Sequence, residues 1–155
     1  MREILILIVF LSCFIFSCTN SGKKDFGKRQ SVELDHRDQM KLIQYISQGR
    51  ILYKEKCSNC HQANGEGLAS LYPPVKNSDY LMKDVSGAIC YVKNGLKGEI
   101  TVNGVPFSQA MPANEALTDL ELAEIMTFVV NELNDSTALI SAKEVHRILN
   151  QCLQK

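Results

Sequence analysis

A small all-α domain is the fold class this sequence predicts, and three observations carry the prediction. Apolar residues recur at three- and four-residue spacing in separate stretches around 40–56, 79–94, 119–133 and 141–153. One short segment, Thr101 to Phe107 around Asn103-Gly104, carries a hairpin signal. With 155 residues and an N-terminal part of different character, the chain has length for a single core. Aromatic residues make up only 7% and Trp is absent, which leaves a small interior short of large side chains unless a bound group fills it. Lys+Arg and Asp+Glu stand at 17 each, so no overall field points to nucleic acid as a partner.

The N-terminus reads as an address. Arg2 opens the chain, and Ile4 to Phe16 is an almost unbroken apolar run, short for a bilayer span and proportioned like the hydrophobic region of a secretory signal. After Ile15-Phe16-Ser17-Cys18 the chain turns abruptly polar, with Thr19, Asn20, Ser21, Gly22, Lys23 and Lys24. This resembles the lipobox of bacterial lipoproteins, which implies that 1–17 is removed and that Cys18 is acylated as the mature N-terminus. Acyl chains on Cys18 would supply the two or more that stable anchoring requires. Residues 18–38, rich in Gly, Ser, Lys, Arg, Asp and Gln, read as a flexible tether. The expected location is the periplasmic side of a bacterial membrane, held there by lipid.

Leu42, Ile43, Ile46, Gly49, Ile51, Leu52 and Tyr53 form the stripe of the first helix, Met40 to Lys56. Gly49 costs ~1 kcal/mol there relative to Ala, which calls for a close helix neighbour. The helix runs directly into Cys57-Ser58-Asn59-Cys60-His61. C-x-x-C-H is the attachment pattern of a c-type haem: two cysteines on one helical turn reach two vinyl groups, and the adjacent imidazole ligates iron. A zinc site would want a second Cys/His pair, yet the remaining candidates, Cys90, Cys152, His36 and His146, are isolated. A thioredoxin-like pair would want a preceding strand rather than a helix.

Beyond the motif come Gly65-Glu66-Gly67, Tyr72-Pro73-Pro74 and a helical stretch from Asp79 to Asn94 closed by Gly95. Asn103-Gly104 predicts a brief hairpin before Met111. Thr118-Asp119-Leu120-Glu121 matches a capping box, followed by Leu122, Ile125, Phe128 and Val129 on one face, so a helix is predicted from Asp119 to about Leu133. The last helix, within Ser141 to Leu153, has Val145, Ile148, Leu149 and Leu153 on one face.

Across roughly Met40 to Leu133 the chain resembles the class I family of monohaem c-type cytochromes, whose first and last helices cross at a small residue and an aromatic. Gly49, Tyr53, Ile125 and Phe128 match that crossing. The resemblance implies the cytochrome c fold wrapped around one covalent haem c, here with an extra C-terminal helix. It implies that Met111, followed by Pro112, is the distal iron ligand opposite His61. The family's glycine turn after the His maps onto Gly65 and Gly67. Its proline beside the proximal imidazole maps onto Pro73 or Pro74, where a carbonyl would accept the Nδ1 proton of His61. The domain organisation that follows is a signal at 1–17, a tether at 18–38, a cytochrome domain at 39–134 and a helical extension at 135–155.

Cys90 and Cys152 are left over, and in an oxidising compartment they are predicted to form a disulfide that pins the extra helix to the domain, two buried free thiols being the alternative. The functional expectation is a monomeric single-electron carrier, not an enzyme, passing electrons between redox partners such as a dehydrogenase, an oxidase or another cytochrome. No nucleophile and base pair stands out, and the sequence holds a single C-x-x-C-H. The alternative is a haem enzyme, or a gas or redox sensor, in which Met111 is displaceable.

Overall fold

The structure, a computed structural model, describes residues 35–152. The signal, Cys18 and nearly all of the tether lie outside the described residues. Within them, helix α1 spans His36–Lys56 and short α2 spans Ser58–His61; α3 (Asp79–Lys83), α4 (Val85–Asn94), the strands β1 (Ile100–Val102) and β2 (Val105–Phe107), α5 (Asp119–Glu132) and α6 (Ala142–Cys152) follow. This is an all-α fold of the cytochrome c type with an added C-terminal helix. Among the described residues, no helix is long and apolar enough to cross a membrane.

The α1–α5 crossing organises the core. Tyr45, Gly49 and Tyr53 are the buried residues of α1, and they meet α5, which is buried from Leu122 through Val130. A Cβ built on Gly49 would lie 2.0 Å from the Glu124 carbonyl oxygen and 2.8 Å from the Phe128 Cβ. Only glycine permits that backbone approach. The Tyr53 and Phe128 rings pack beside it with centroids 5.4 Å apart. The Thr118 capping box starts α5: its hydroxyl accepts from the Glu121 amide at 3.2 Å, and the Glu121 carboxylate accepts from the Thr118 amide at 2.8 Å.

Two boundaries differ from the sequence reading. Helix α1 begins at His36, ahead of its first apolar residue, because a solvent-facing turn with Asp38 near the positive helix end needs no apolar residue to form. The stretch read as one helix from Asp79 to Asn94 is two, broken at Asp84. There φ is −147° and the side chain accepts from the Gly87 amide, so an N-cap restarts the helix.

β1 and β2 form an antiparallel hairpin pairing Ile100 with Phe107 and Val102 with Val105. Its turn places Asn103 at φ 51° and Gly104 at φ 80°, as a two-residue primed turn requires. The Asn103 side chain accepts from the Asp79 amide at 3.0 Å and the Asp79 carboxylate accepts from the Asn103 amide at 2.7 Å, which ties the hairpin to α3. After α5 the chain doubles back as a strap. Asn131 exchanges hydrogen bonds with the Ala138 carbonyl and amide at 2.6 and 3.1 Å. The Ile140 amide donates to the Thr127 hydroxyl at 3.1 Å. Helix α6 then lays Val145 and Ile148 into the common core.

Candidate functional site: the Cys57–His61 turn and the cavity it faces

The end of α1 delivers the motif. The Cys57 amide donates to the Tyr53 carbonyl at 2.9 Å, and the Cys60 and His61 amides both donate to the Cys57 carbonyl, at 3.2 and 3.0 Å. One helical turn thus holds Cys57, Cys60 and His61 together. Both cysteines are free thiols and half-buried. Burial, and secondarily the proximity of Cys60, push the Cys57 thiol up to about 11.

A tight loop follows, and it turns the imidazole. Gln62 takes φ 63°, the Tyr53 hydroxyl donates to its carbonyl at 3.0 Å, and the Gly67 amide donates back to the His61 carbonyl at 3.0 Å. Gly67 sits at φ 71°, where a Cβ would lie 2.3 Å from the Tyr72 carbonyl oxygen. The loop closes this tightly only with glycine. Closure brings the Pro73 carbonyl to 2.9 Å from His61 Nδ1, so Pro73 rather than Pro74 supplies the proximal acceptor. A carbonyl only accepts, which assigns the ring proton to Nδ1 and leaves Nε2 with its lone pair. Burial holds the His61 pKa below its ordinary value, against the opposing pull of the Pro73 carbonyl. A neutral imidazole with a free Nε2 is the form that ligates metal.

Met111 reaches the same cavity through α4. Gly95 ends α4 at φ 83°, and Leu96 then pairs with Met111 as an antiparallel bridge, N···O 3.0 and 2.9 Å in the two directions. A Cβ on Gly95 would sit 2.9 Å from the Met111 carbonyl oxygen. Below this bridge the Asn114 amide donates to the Val92 carbonyl at 3.0 Å, and Lys93 Nζ donates to the Glu115 and Leu117 carbonyls at 2.7 and 2.6 Å. The Leu96 contact was not foreseen in the sequence; the one local signal for it is Gly95, whose positive φ redirects the chain.

Cys57, His61, Pro73, Leu96, Ile100 and Met111 are shared by two adjoining lobes of one solvent-open cleft, with empty volumes of about 690 and 680 Å³. Each falls within the range of ligand cavities, ~300–1,000 Å³. Tyr53, Leu81, Val92, Ile125 and Val129 wall the inner lobe, whereas Lys56, Cys60, Gln109 and Asn114 add polar groups to the outer one. Two free thiols at one edge, an imidazole fixed in its ligating tautomer, a thioether and apolar walls fit a haem attached through both cysteines. Among the described residues, no three His, Cys, Asp or Glu side chains cluster to hold a metal ion without such a group.

Away from the cleft, Cys90 on α4 and Cys152 on α6 are joined as a disulfide, Cα atoms 6.0 Å apart. His146, also on α6, lies with its Nδ1 2.9 Å from Asp119 at the start of α5 and lines no part of the cleft.

Comparison with known proteins agrees with this geometry. Residues 46–132 match the cytochrome c family. A cytochrome c-552 of Thermus thermophilus is 26% identical over 102 residues, covering 60% of this chain and 78% of the relative. A second cytochrome c-552, from another strain record of the same species, shows the same identity over 69% of its length.

Proposed function

This chain belongs to the cytochrome c family, whose members bind covalent haem c and carry electrons, and from that premise we propose a class I, His/Met-ligated monohaem carrier tethered to a bacterial membrane. Cys57 and Cys60 would hold the haem through two thioethers, with His61 Nε2 and the Met111 sulfur as axial ligands. When bound, the haem supplies an iron that cycles between ferrous and ferric states. The observation that carries the reading is that His61, with Nδ1 committed to Pro73, and Met111, held by Leu96, border the same cleft.

Each residue has a definable task. His61 and its Pro73 contact set proximal basicity. Met111 offers a soft thioether that favours the ferrous state and raises the potential, and with both axial positions taken the protein acts as a carrier and not as an enzyme. Tyr53, Leu81, Ile125 and Val129 exclude water from one face, while the opening of the cleft leaves an edge through which electrons reach redox partners.

The domain organisation we propose is a lipoprotein signal at 1–17, lipid on Cys18, a tether at 18–38, the cytochrome domain at 39–134 and the extension at 135–155. It places a monomer on the periplasmic side of the membrane, serving a dehydrogenase, an oxidase or another cytochrome. Support comes from the signal-like run Ile4 to Phe16 and the Ser17-Cys18 step.

Intact mass of protein from a host that matures c-type cytochromes tests both parts. The expected result is one covalent haem, lost in Cys57→Ser/Cys60→Ser, together with acylation lost in Cys18→Ser. Haem that leaves on denaturation would overturn the attachment, and a free Cys18 thiol or its removal with the leader would overturn the anchor.

A further inference from the structure

The segment that supplies the proximal carbonyl cannot hold itself in place. Pro73 and Pro74 have no N–H, so neither can donate to a neighbour. On the side of the motif, the first available amides, Val75 and Lys76, both donate to the Gly65 carbonyl at 2.9 Å. On the other side the hold comes from one residue at the end of α5. Asn134 donates through Nδ2 to the Val75 carbonyl at 2.8 Å and to the Val129 carbonyl at 2.9 Å. Its Oδ1 accepts from the Ser78 amide at 2.9 Å, and the adjacent Leu133 carbonyl accepts from the Asn77 amide at 2.9 Å.

We propose that Asn134 is a positioning residue for the proximal imidazole: by clamping residues 75–78 to the end of α5 it fixes the Pro73 carbonyl on His61 Nδ1 and thereby sets the reduction potential. The inference rests on the proposed ligation by His61. Its physical basis is the planar amide, which ties three backbone groups in one plane. Both donor hydrogens and the acceptor oxygen are in use, and residues Pro73 to Val75 and Ser78 also wall the cleft. A hydrogen bond to Nδ1 raises the basicity of the ligating nitrogen and favours the ferric state. Freeing the segment therefore weakens that contact and raises the potential.

Asn131 provides the control. Its side chain bonds to Thr127 and laces the strap at Ala138, away from 75–78, so Asn131→Ala loosens the C-terminal extension without touching the proximal loop.

The test uses the full haem-loaded chain. In Asn134→Ala the expected result is a three- to tenfold shift of the ferric/ferrous equilibrium toward ferrous, which at 59 mV per tenfold is a rise of ~30–60 mV. Amide exchange at Asn77 and Ser78 should quicken while the Met-ligated spectrum is retained. Asn131→Ala should keep the wild-type potential. Should Asn134→Ala not be recovered folded, Asn134→Ser, which keeps a smaller polar group, decides the matter by a shift of the same sign. A normal wild-type spectrum with an unshifted potential in the Asn134 variant, or an equal shift in Asn131→Ala, overturns the proposal. A wild type lacking the low-spin His/Met spectrum instead removes the ligation on which the proposal rests.

Discussion

Gly49→Ala sets two effects of known sign against each other. On an isolated helix the change stabilises by ~1 kcal/mol, since alanine loses less backbone entropy. At the α1–α5 crossing the new Cβ would lie 2.0 Å from the Glu124 carbonyl oxygen, and an ordinary contact begins at 3.4 Å, so the two backbones must part by about 1.4 Å. Neither contact atom at the helix backbone is the tip of a flexible side chain that could swing aside. Overpacking of this kind costs ~1–3 kcal/mol, and a clash against backbone belongs at the upper end. The net is a destabilisation of about 2 kcal/mol. For a domain between the 60–100 and 150–250 residue classes, at roughly 4 °C per kcal/mol, this lowers Tm by about 8 °C. Thermal unfolding of the ferric protein, followed by far-UV circular dichroism, measures it. A Tm equal to or above wild type would show that helix propensity wins, and that the crossing is not held at backbone contact.

Met111→Ala should abolish the far-red absorption of Met-ligated ferric iron, admit carbon monoxide to the reduced protein and lower the potential by ~0.1–0.3 V, within the ~0.8 V span that axial ligands command; optical titration reads all three. Cys90 and Cys152 are 62 residues apart, so Cys90→Ser/Cys152→Ser should cost about 4 kcal/mol in the chain-entropy model, seen as a lower urea midpoint and as loss of sensitivity to added reductant. Glu124 is buried, and burial, reinforced by repulsion from Glu121, raises its carboxyl pKa above 4.5. A folded-state pKa above the unfolded value means that the ionised form opposes folding. Glu124→Gln should therefore leave stability nearly unchanged well below pH 4.5 and raise it increasingly as pH climbs past the folded pKa, measurable as the difference in Tm between pH 3.5 and pH 7. An equal gain at both pH values would assign the effect to packing.

How much of this was legible in the sequence depended on whether the determinants were local. The capping box at Thr118, the Asn103-Gly104 hairpin and the C-x-x-C-H turn lie within a few residues of one another, and each forms as the pattern predicts. Gly49 was readable as a crossing point because an unneeded glycine in a helix asks for a close neighbour. The break at Asp84 was not, since it depends on a side chain capturing the Gly87 amide, and the apolar spacing of 79–94 runs through it unchanged. Choosing Pro73 over Pro74 required the loop closure at Gly67, which places one carbonyl and not the next against His61. The strap after α5 was hidden for a related reason: Thr127, Asn131 and Asn134 look like ordinary polar positions on a helix, and their partners at Ile140, Ala138, Val75 and Ser78 are defined by tertiary structure alone. The same holds for Leu96, whose bridge to Met111 no spacing rule announces.

The account turns on His61 and Met111 serving one covalent haem. Visible and near-infrared spectra of the exported protein, oxidised and then reduced with dithionite, test this most directly. The account predicts sharp reduced c-type bands and, in the ferric protein, the weak far-red band of methionine ligation. A high-spin ferric spectrum, or no covalent haem from a host competent in cytochrome c maturation, would contradict it.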